Sequence, residues 1–204
     1  AEVEYADRKA TQIYVKFPVR SFNEASFRAD PDVTERDIEN WTKDDFLKKL
    51  SNIKVIIWTT TPWTIPANRA VSFSDKVSYS LYEVEELEES DFEPWLKPGE
   101  QLIVADDLWE TVAKAGLVKK VFPLGRVDSK YLKHLLLDHP LKNMADAEGK
   151  YDFPVPLLEG SHVTADAGTG FVHTAPSHGE DDYVVWISNQ TKLEGLGIDP
   201  VVPM

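Results

Sequence analysis

Short runs of β-branched and aromatic residues, each broken by proline or glycine, constrain the fold of this chain more than any other feature. Segments such as TQIYVKFPV, KVIIWTT, VSYSLYEV and QLIVAD are typical of strands, and FPVPLLEG, HVTA and GTGFVHTA add further candidates. Helices are predicted for DLWETVAKAG, which Asp107 can cap and Gly116 end, for VDSKYLKHLLLDHP, which Pro140 ends, and for DDYVVWISNQ. Because strands outnumber helices and do not alternate with them regularly, the sequence predicts an α+β domain: a β-rich, barrel-like sheet with a few peripheral helices.

Size and charge narrow the range of functions. A chain of 204 residues with 42% hydrophobic content suffices for one packed domain. No apolar run is long enough for a membrane span and the first residues do not read as a secretory signal, so we expect no membrane partner. With no cysteine, the chain has no disulfide or thiolate metal site, which is compatible with a cytoplasmic location. A net charge of −13 argues against broad neutralisation of phosphates, so any contact with RNA has to be local.

The first segment with chemical potential is WTTTPWTIPANRA, which runs from Trp58 to Ala70. Three consecutive hydroxyls, those of Thr59, Thr60 and Thr61, leave an apolar strand and meet two prolines that restrict the loop to extended or turn geometry. Backbone groups in such a loop lack ladder partners and can bind polar atoms of a ligand. The alternative interpretation is a β-bulge or turn whose threonines merely suit the end of a strand.

The second segment, AGTGFVHTAPSHGEDDY, runs from Ala167 to Tyr183. Its two glycines allow a tight turn or a close approach to a ligand, His173 follows on a strand, and Asp182 falls in the first turn of the next helix. Taken singly, the histidine is compatible with a hydrogen-bonded core residue, and Asp181 and Asp182 with helix capping. Together, they place several ligand-capable side chains around one concavity.

These two segments resemble the paired signatures of the connective-peptide editing domain of isoleucyl-tRNA synthetases. The related valyl and leucyl editing domains carry an Arg-containing threonine loop and a different sequence after GTG. The opening AEVEYADRKATQIYVKF is similar to the entry into that insertion, and the form HTAPSHGEDDY resembles bacterial or organellar enzymes. No segment resembles the HIGH or KMSKS signatures of class I synthetases. The resemblance therefore implies that residues 1–204 form a single editing domain, excised from a larger synthetase, that cannot itself activate isoleucine.

The activity that this resemblance implies is post-transfer editing: hydrolysis of the ester that joins valine to the 3′ end of isoleucine tRNA, with exclusion of the isoleucyl ester. One methylene changes binding by only about 1–3 kcal/mol, a limit for which isoleucyl-tRNA synthetase is itself the standard illustration. A second pocket that excludes the larger amino acid by its size removes the error. The expected partners are the tRNA end, valine-like small molecules and the remainder of the synthetase.

The resemblance also implies roles for the first segment. Thr59, Thr60 and Thr61 position the ester and the attacking water, with Thr60 as the foremost of the three. Trp58 provides an apolar or stacking wall. No covalent acyl-enzyme is expected, because a threonine without an adjacent base is a poor nucleophile. Ordered water is the expected nucleophile, without a cofactor or a metal.

In the second segment, the resemblance implies that His173 limits the size of the amino-acid side chain and that Asp182 binds the α-ammonium through its carboxylate. Asp181 and His178 are secondary candidates for substrate binding.

Two alternatives stay open at this point. A metallohydrolase could draw its ligands from five residues, because two histidines and a carboxylate can form an open metal site: His162, His173, His178, Asp181 and Asp182. Their spacing matches no zinc signature such as HExxH. A non-catalytic module could instead bind the tRNA end or an amino acid without turnover.

Overall fold

The chain folds into one mixed sheet with short helices at its periphery. The structure is a computed structural model, and it describes residues 11–43 and 52–202. The strands are β1 (Ile13–Phe22), β2 (Ile53–Thr59), β3 (Ala70–Phe73), β4 (Tyr79–Leu87), β5 (Gln101–Ala105), β6 (Val118–Val127), β7 (Leu135–Asp138), β8 (Pro154–Glu159) and β9 (Val172–Thr174). Their order across the sheet is β6-β4-β5-β2-β1-β7-β8-β3-β9, and the sheet is not closed. The predicted β-rich α+β architecture is confirmed. Residues 1–10 of the opening segment compared above lie outside the described residues.

The helices are short. They are α1 (Glu24–Ala29), α2 (Glu35–Lys43), α3 (Trp109–Ala115), α4 (Ser129–Leu132), α5 (Glu180–Ser188) and α6 (Gln190–Gly195). Among the described residues, 3-10 helices cover Pro62–Ala67, Asp106–Leu108 and Ala145–Ala147. In the described ranges, no helix has the length and apolar character needed to cross a membrane.

Strand β1 joins the two halves of the sheet. Its first half pairs with β2 and its second half with β7, both antiparallel, and the register shifts between Val19 and Ser21. Such an irregularity bends a strand, so that one strand can pair with two neighbouring strands that run in different directions. The pairs β2·β5 and β3·β8 are parallel. The core between the two halves includes Phe17, Val71 and Leu137, each with no exposed surface.

The Gly168-Thr169-Gly170 turn fixes the position of β9. Thr169 is fully buried, and its hydroxyl donates to the carbonyl of Ile56 on β2 at 2.5 Å. Gly170 has φ +82°, and a Cβ built there would lie 2.4 Å from the Cβ of Ala105. Both the left-handed backbone and the close approach therefore require glycine at this position. The turn thus ties the chain to β2 and β5 just before β9, and β9, which carries His173, pairs with β3.

Several local predictions are wrong. VDSKYLKHLLLDHP is not one helix, because α4 ends at Leu132 and the leucines form β7, which fills the gap between β1 and β8. HVTA forms no strand, and GTGFVHTA supplies only the three residues of β9. Asp107 does not cap α3 but lies inside a 3-10 helix, although the helix does end at Gly116 as predicted. The other strands and the helix over DDYVVWISNQ are confirmed in type.

Candidate active site

The threonine loop joins the end of β2 to the 3-10 helix Pro62–Ala67. Thr59 is buried, and its Oγ1 accepts a hydrogen bond from the amide of Thr61 at 3.0 Å and lies 3.2 Å from the Thr61 hydroxyl. Thr60, between them, is exposed, and its hydroxyl has no hydrogen-bond partner within the described part of the chain. The loop thus turns Thr59 inward and presents Thr60 to solvent.

His173 reaches this loop from β9. Its Nδ1 lies 2.8 Å from Asn68 Nδ2, which also donates to the carbonyl of Ala70 at 2.7 Å. Because the second contact fixes the amide orientation, His173 Nδ1 has to be the acceptor, and the ring proton sits on Nε2. Nε2 then donates to Thr64 Oγ1 at 3.0 Å, and the Thr64 hydroxyl donates to the carbonyl of Thr61 at 2.8 Å. Burial, followed by the neighbouring His139 and His178, lowers the pKa of His173 to about 4, in keeping with a neutral ring.

A second buried histidine, His139, contacts the 3-10 helix that follows the threonine loop. His139 follows β7, accepts from the amide of Leu141 through Nδ1 at 3.1 Å, and therefore donates through Nε2 to the carbonyl of Ile65 at 3.0 Å. Its ring stacks on Tyr151 with centroids 4.6 Å apart. Burial lowers the pKa of His139 to about 4. Two neutral rings thus hold the 3-10 helix that follows Thr60.

Asp182 joins the start of α5 to the end of β9. Its Oδ2 accepts from the amide of Ala175 at 2.8 Å, so the carboxylate folds back over the turn between the two elements. Its other oxygen has no hydrogen-bond partner among residues 11–43 and 52–202. Burial, the largest influence, raises the pKa of Asp182, whereas the Ala175 amide, His162 and His178 act in the opposite direction. This half-buried carboxylate keeps one oxygen for a ligand.

The remaining predicted site residues lie around these groups. Trp58 is half-buried on β2, donates through Nε1 to Gln12 at 2.8 Å and lies against Gly168. His178 and Asp181 are exposed, and both affect the pKa of Asp182, so they lie near it. Together with the threonine loop and its contact from His173 through Thr64, these residues make up the candidate cluster.

The metallohydrolase alternative receives no geometric support from the described residues. No group of three or more His, Cys, Asp or Glu side chains there lies close enough to hold a metal ion. His162 lies in a turn and its buried Nε2 has no hydrogen-bond partner in the described part of the chain.

Four residues of the site were not identified from the sequence alone: Thr64, Asn68, His139 and Trp63. The first three act through contacts with backbone carbonyls or with side chains that are distant in the sequence. No sequence pattern predicts such contacts. Trp63 is different, because its side chain, on the 3-10 helix that follows the threonine loop, is 73% exposed and is a surface feature that suits contact with a ligand.

Comparison with known proteins shows the family of this chain. No family model matches the sequence. Over 204 residues, the chain is 48% identical to the isoleucine–tRNA ligase of Brucella abortus biovar 1 (strain 9-941), and over 201 residues it is 46% identical to that of Caulobacter vibrioides. By sequence, the chain belongs to the isoleucine–tRNA ligase family. The two matches include 100% and 98% of this chain, respectively. The chain spans only 18% of the length of each relative.

Solved structures show which fold the chain shares with known proteins. The crystal structure described as GlLeuRS-CP1 has a TM-score of 0.59 and 16% identity, covering 93% of this chain and 66% of that one. The editing domain of the cytosolic leucyl-tRNA synthetase of P. falciparum has a TM-score of 0.59 and 14% identity, covering 91% and 68%. At such low identity, the likeness shows the fold alone, which is that of synthetase editing domains.

Proposed function

We propose that this segment of isoleucine–tRNA ligase is an editing hydrolase, which cleaves the ester between valine and the 3′-terminal ribose of isoleucine tRNA and spares the isoleucyl ester. The observation that carries the proposal is the exposed Thr60 hydroxyl on a loop whose geometry is fixed by neutral His173 through Thr64. The sequence relatives and the fold of the structural neighbours support editing in general.

The hydrogen bonds define what each group can do in ester hydrolysis. Thr60 can hold the attacking water or the oxygen of the tetrahedral intermediate, because its hydroxyl is both donor and acceptor. His173 does not act as the base in this arrangement, since Asn68 and Thr64 already engage both ring nitrogens. Without a base at hand, the threonine remains a poor nucleophile, so water attacks the ester directly and no acyl-enzyme forms.

Recognition of the substrate uses the other members of the cluster. The unpartnered oxygen of Asp182 accepts the α-ammonium in a charge-assisted hydrogen bond. Trp58 and the exposed Trp63 provide apolar faces for the amino acid or the terminal bases. The net charge of −13 restricts the contact to the single-stranded end of the tRNA, and the rest of the ligase binds the remainder.

The test measures release of the amino acid from valyl- and isoleucyl-tRNA(Ile) with the protein in excess over tRNA. We expect faster cleavage of the valyl ester, no effect of EDTA, and a loss of at least about tenfold in Thr60→Ala. Thr191→Ala, which removes an exposed hydroxyl on α6, is the matched control and keeps the parent rate.

Three results would contradict parts of the proposal. Loss of activity with EDTA and recovery with zinc would indicate the metallohydrolase. Binding of the tRNA end without any turnover would indicate a non-catalytic module. Normal cleavage by Thr60→Ala would transfer its role to Thr59, Thr61 or the loop backbone.

A further inference from the structure

A cavity of about 420 Å³ lies between the start of β8 and the residues that follow α6. Its size is in the range of small-ligand pockets. Its walls include Arg69, Phe153, Trp186, Ile198, Asp199 and Val201. None of the threonines of the loop, His173 or Asp182 lines it, so it is separate from the candidate active site.

The charged group on one wall is Arg69. Its guanidinium lies over the ring of Phe153, 4.4 Å from the centroid, and it has no ion-pair partner among the described residues. Arg69 is half-buried, and this burial lowers the pKa of its guanidinium. A cation with little water and no counter-ion is costly, and the planar fork of a guanidinium fits a carboxylate with two parallel hydrogen bonds. This wall is therefore complementary to a carboxylate.

A charge of opposite sign lines the same cavity. Asp199 is exposed, and one of its oxygens accepts from the amide of Val201 at 2.9 Å, which leaves the other oxygen unpaired within the described ranges. Asp199 and Arg69 form no ion pair with each other. Both charges that line this cavity are therefore free of each other and available to a ligand.

The rest of the wall is apolar. Trp186 is almost completely buried behind the cavity wall, and its only donor, Nε1, binds the carbonyl of Pro200 at 2.8 Å, so the indole offers the cavity no polar group. Phe153 and Ile198 add apolar surface. A ligand that satisfies these walls has a carboxylate, an ammonium and an apolar side chain.

We propose that this cavity binds a free α-amino acid with an apolar side chain, with its carboxylate on Arg69, its ammonium on Asp199 and its side chain against Trp186 and Phe153. The site does not depend on the hydrolytic activity proposed above, because it shares no residue with the threonine loop or its supports.

L-Phenylalanine is the probe that separates the two sites, since it is larger than the isoleucyl group that the candidate active site is proposed to exclude. The measurement is an NMR titration of the indole N–H signals of the six tryptophans, with the Trp186 signal assigned through Trp186→Phe. We expect the Trp186 signal to shift and saturate by about 10 mM ligand while the signals of Trp58 and Trp63 stay in place.

Two analogues test the assignment of charges. 3-Phenylpropanoate lacks the ammonium and 2-phenylethylamine lacks the carboxylate, and each is expected to bind about tenfold more weakly than phenylalanine. In the protein, Arg69→Met and Asp199→Asn are expected to raise the Kd for phenylalanine to a similar extent, and Arg69→Lys less. Arg126→Met, at an arginine whose side chain is 75% exposed, is the matched control and leaves the Kd unchanged.

Asp199→Asn keeps the shape of an exposed side chain and its acceptor for Val201, so it tests the site even where Arg69→Met impairs folding. The proposal is overturned if the Trp186 signal does not move, if only Trp58 or Trp63 responds, or if 2-phenylethylamine binds as tightly as phenylalanine. Unchanged affinity in Asp199→Asn together with Arg69→Lys also overturns it. Because the titration involves no ester cleavage, its outcome is independent of the editing assay.

Discussion

At the scale of single residues, the ring of His173 has no nitrogen left for a substrate, because Asn68 and Thr64 engage both. Any contact of the ring with an amino-acid side chain is therefore made by carbon atoms, which suits a steric limit on size. We expect His173→Ala to cleave isoleucyl-tRNA(Ile), because the truncation enlarges the pocket. The measurement compares the cleavage rates of the isoleucyl and valyl esters.

Thr64→Val is the control for this prediction, since it removes the hydroxyl contact and keeps the histidine ring. It is expected to slow cleavage of the valyl ester and still spare the isoleucyl ester. If His173→Ala also spares the isoleucyl ester, the histidine positions the loop and does not limit size.

The carboxylate of Asp182 supports a prediction about charge alone. In Asp182→Asn, the amide oxygen can still accept from Ala175, so the local shape survives while the anion is lost. Breaking one partner of a buried pair costs about 3–5 kcal/mol, and for this half-buried group we expect a loss of about a hundredfold in valyl-ester cleavage. Glu194→Gln, at an exposed carboxylate on α6, is the control and changes the rate by less than about threefold.

A substrate analogue separates recognition of the ammonium from other effects of Asp182→Asn. Isovaleryl-adenosine has the shape of the valyl ester but lacks the amino group. The parent protein is expected to bind it more weakly than a non-hydrolysable valyl analogue, and the variant is expected to distinguish the two much less. Equal affinities in the parent, measured by calorimetry, would leave Asp182 as a residue that only ties α5 to β9.

The sequence was sufficient to identify the residues that present functional groups, and insufficient for those that hold them. Thr60 and Asp182 were selected as candidates through the family resemblance of their segments, in which hydroxyls at a strand end and a carboxylate in a first helical turn are local patterns. Asn68 and His139 could not, because their partners, His173 and Ile65, are brought to them only by the pairing of β3 with β9 and of β7 with β1. Such supports depend on the tertiary fold.

At the scale of elements, β7 shows why periodicity alone failed. The segment around Leu135–Asp138 has enough leucine for a helix, but its place between β1 and β8 gives it two hydrogen-bonded neighbours. Short apolar runs are ambiguous between strand and buried helix until the neighbours are known. The outcome matters for the site, because a strand that ends at Asp138 delivers His139 to the 3-10 helix Pro62–Ala67.

Two substitutions of His139 test this support. His139→Gln can keep a donor near Nε2 for the Ile65 carbonyl, whereas His139→Asn can keep only the acceptor near Nδ1 for the Leu141 amide. Both lose the stacking on Tyr151, so they form a matched pair. We expect kcat for valyl-ester cleavage to fall about tenfold or more in the Asn variant and less in the Gln variant, with KM little changed, because the loop and not the tRNA contact is displaced. Equal kcat values in the two variants would contradict the role of the Ile65 contact.

At the scale of the whole molecule, buried histidines couple stability to pH. Burial lowers the pKa of His134, His139 and His173 to about 4, against about 6.5 in an unfolded chain. Between pH 4 and pH 6.5, these histidines bind protons in the unfolded state but not in the folded state. The stabilisation from the neutral rings is therefore complete above pH 6.5 and is lost as the pH falls towards 4. Asp182 acts in the opposite direction, since its raised pKa favours protonation in the folded state.

The expected result is a fall in the free energy of unfolding on the order of 5 kcal/mol between pH 7 and about 4.5, because each histidine can contribute up to about 3 kcal/mol and Asp182 offsets part of the sum. Urea unfolding followed at several pH values measures it. His139→Gln removes one of the three groups and is expected to flatten the dependence, whereas Thr191→Ala removes an exposed hydroxyl that does not titrate and serves as the control that keeps the parent slope. A free energy of unfolding that stays level or rises as the pH falls from 7 to 5 would show that these rings are not held neutral by the fold, and would remove the physical basis for the fixed tautomers that support the threonine loop.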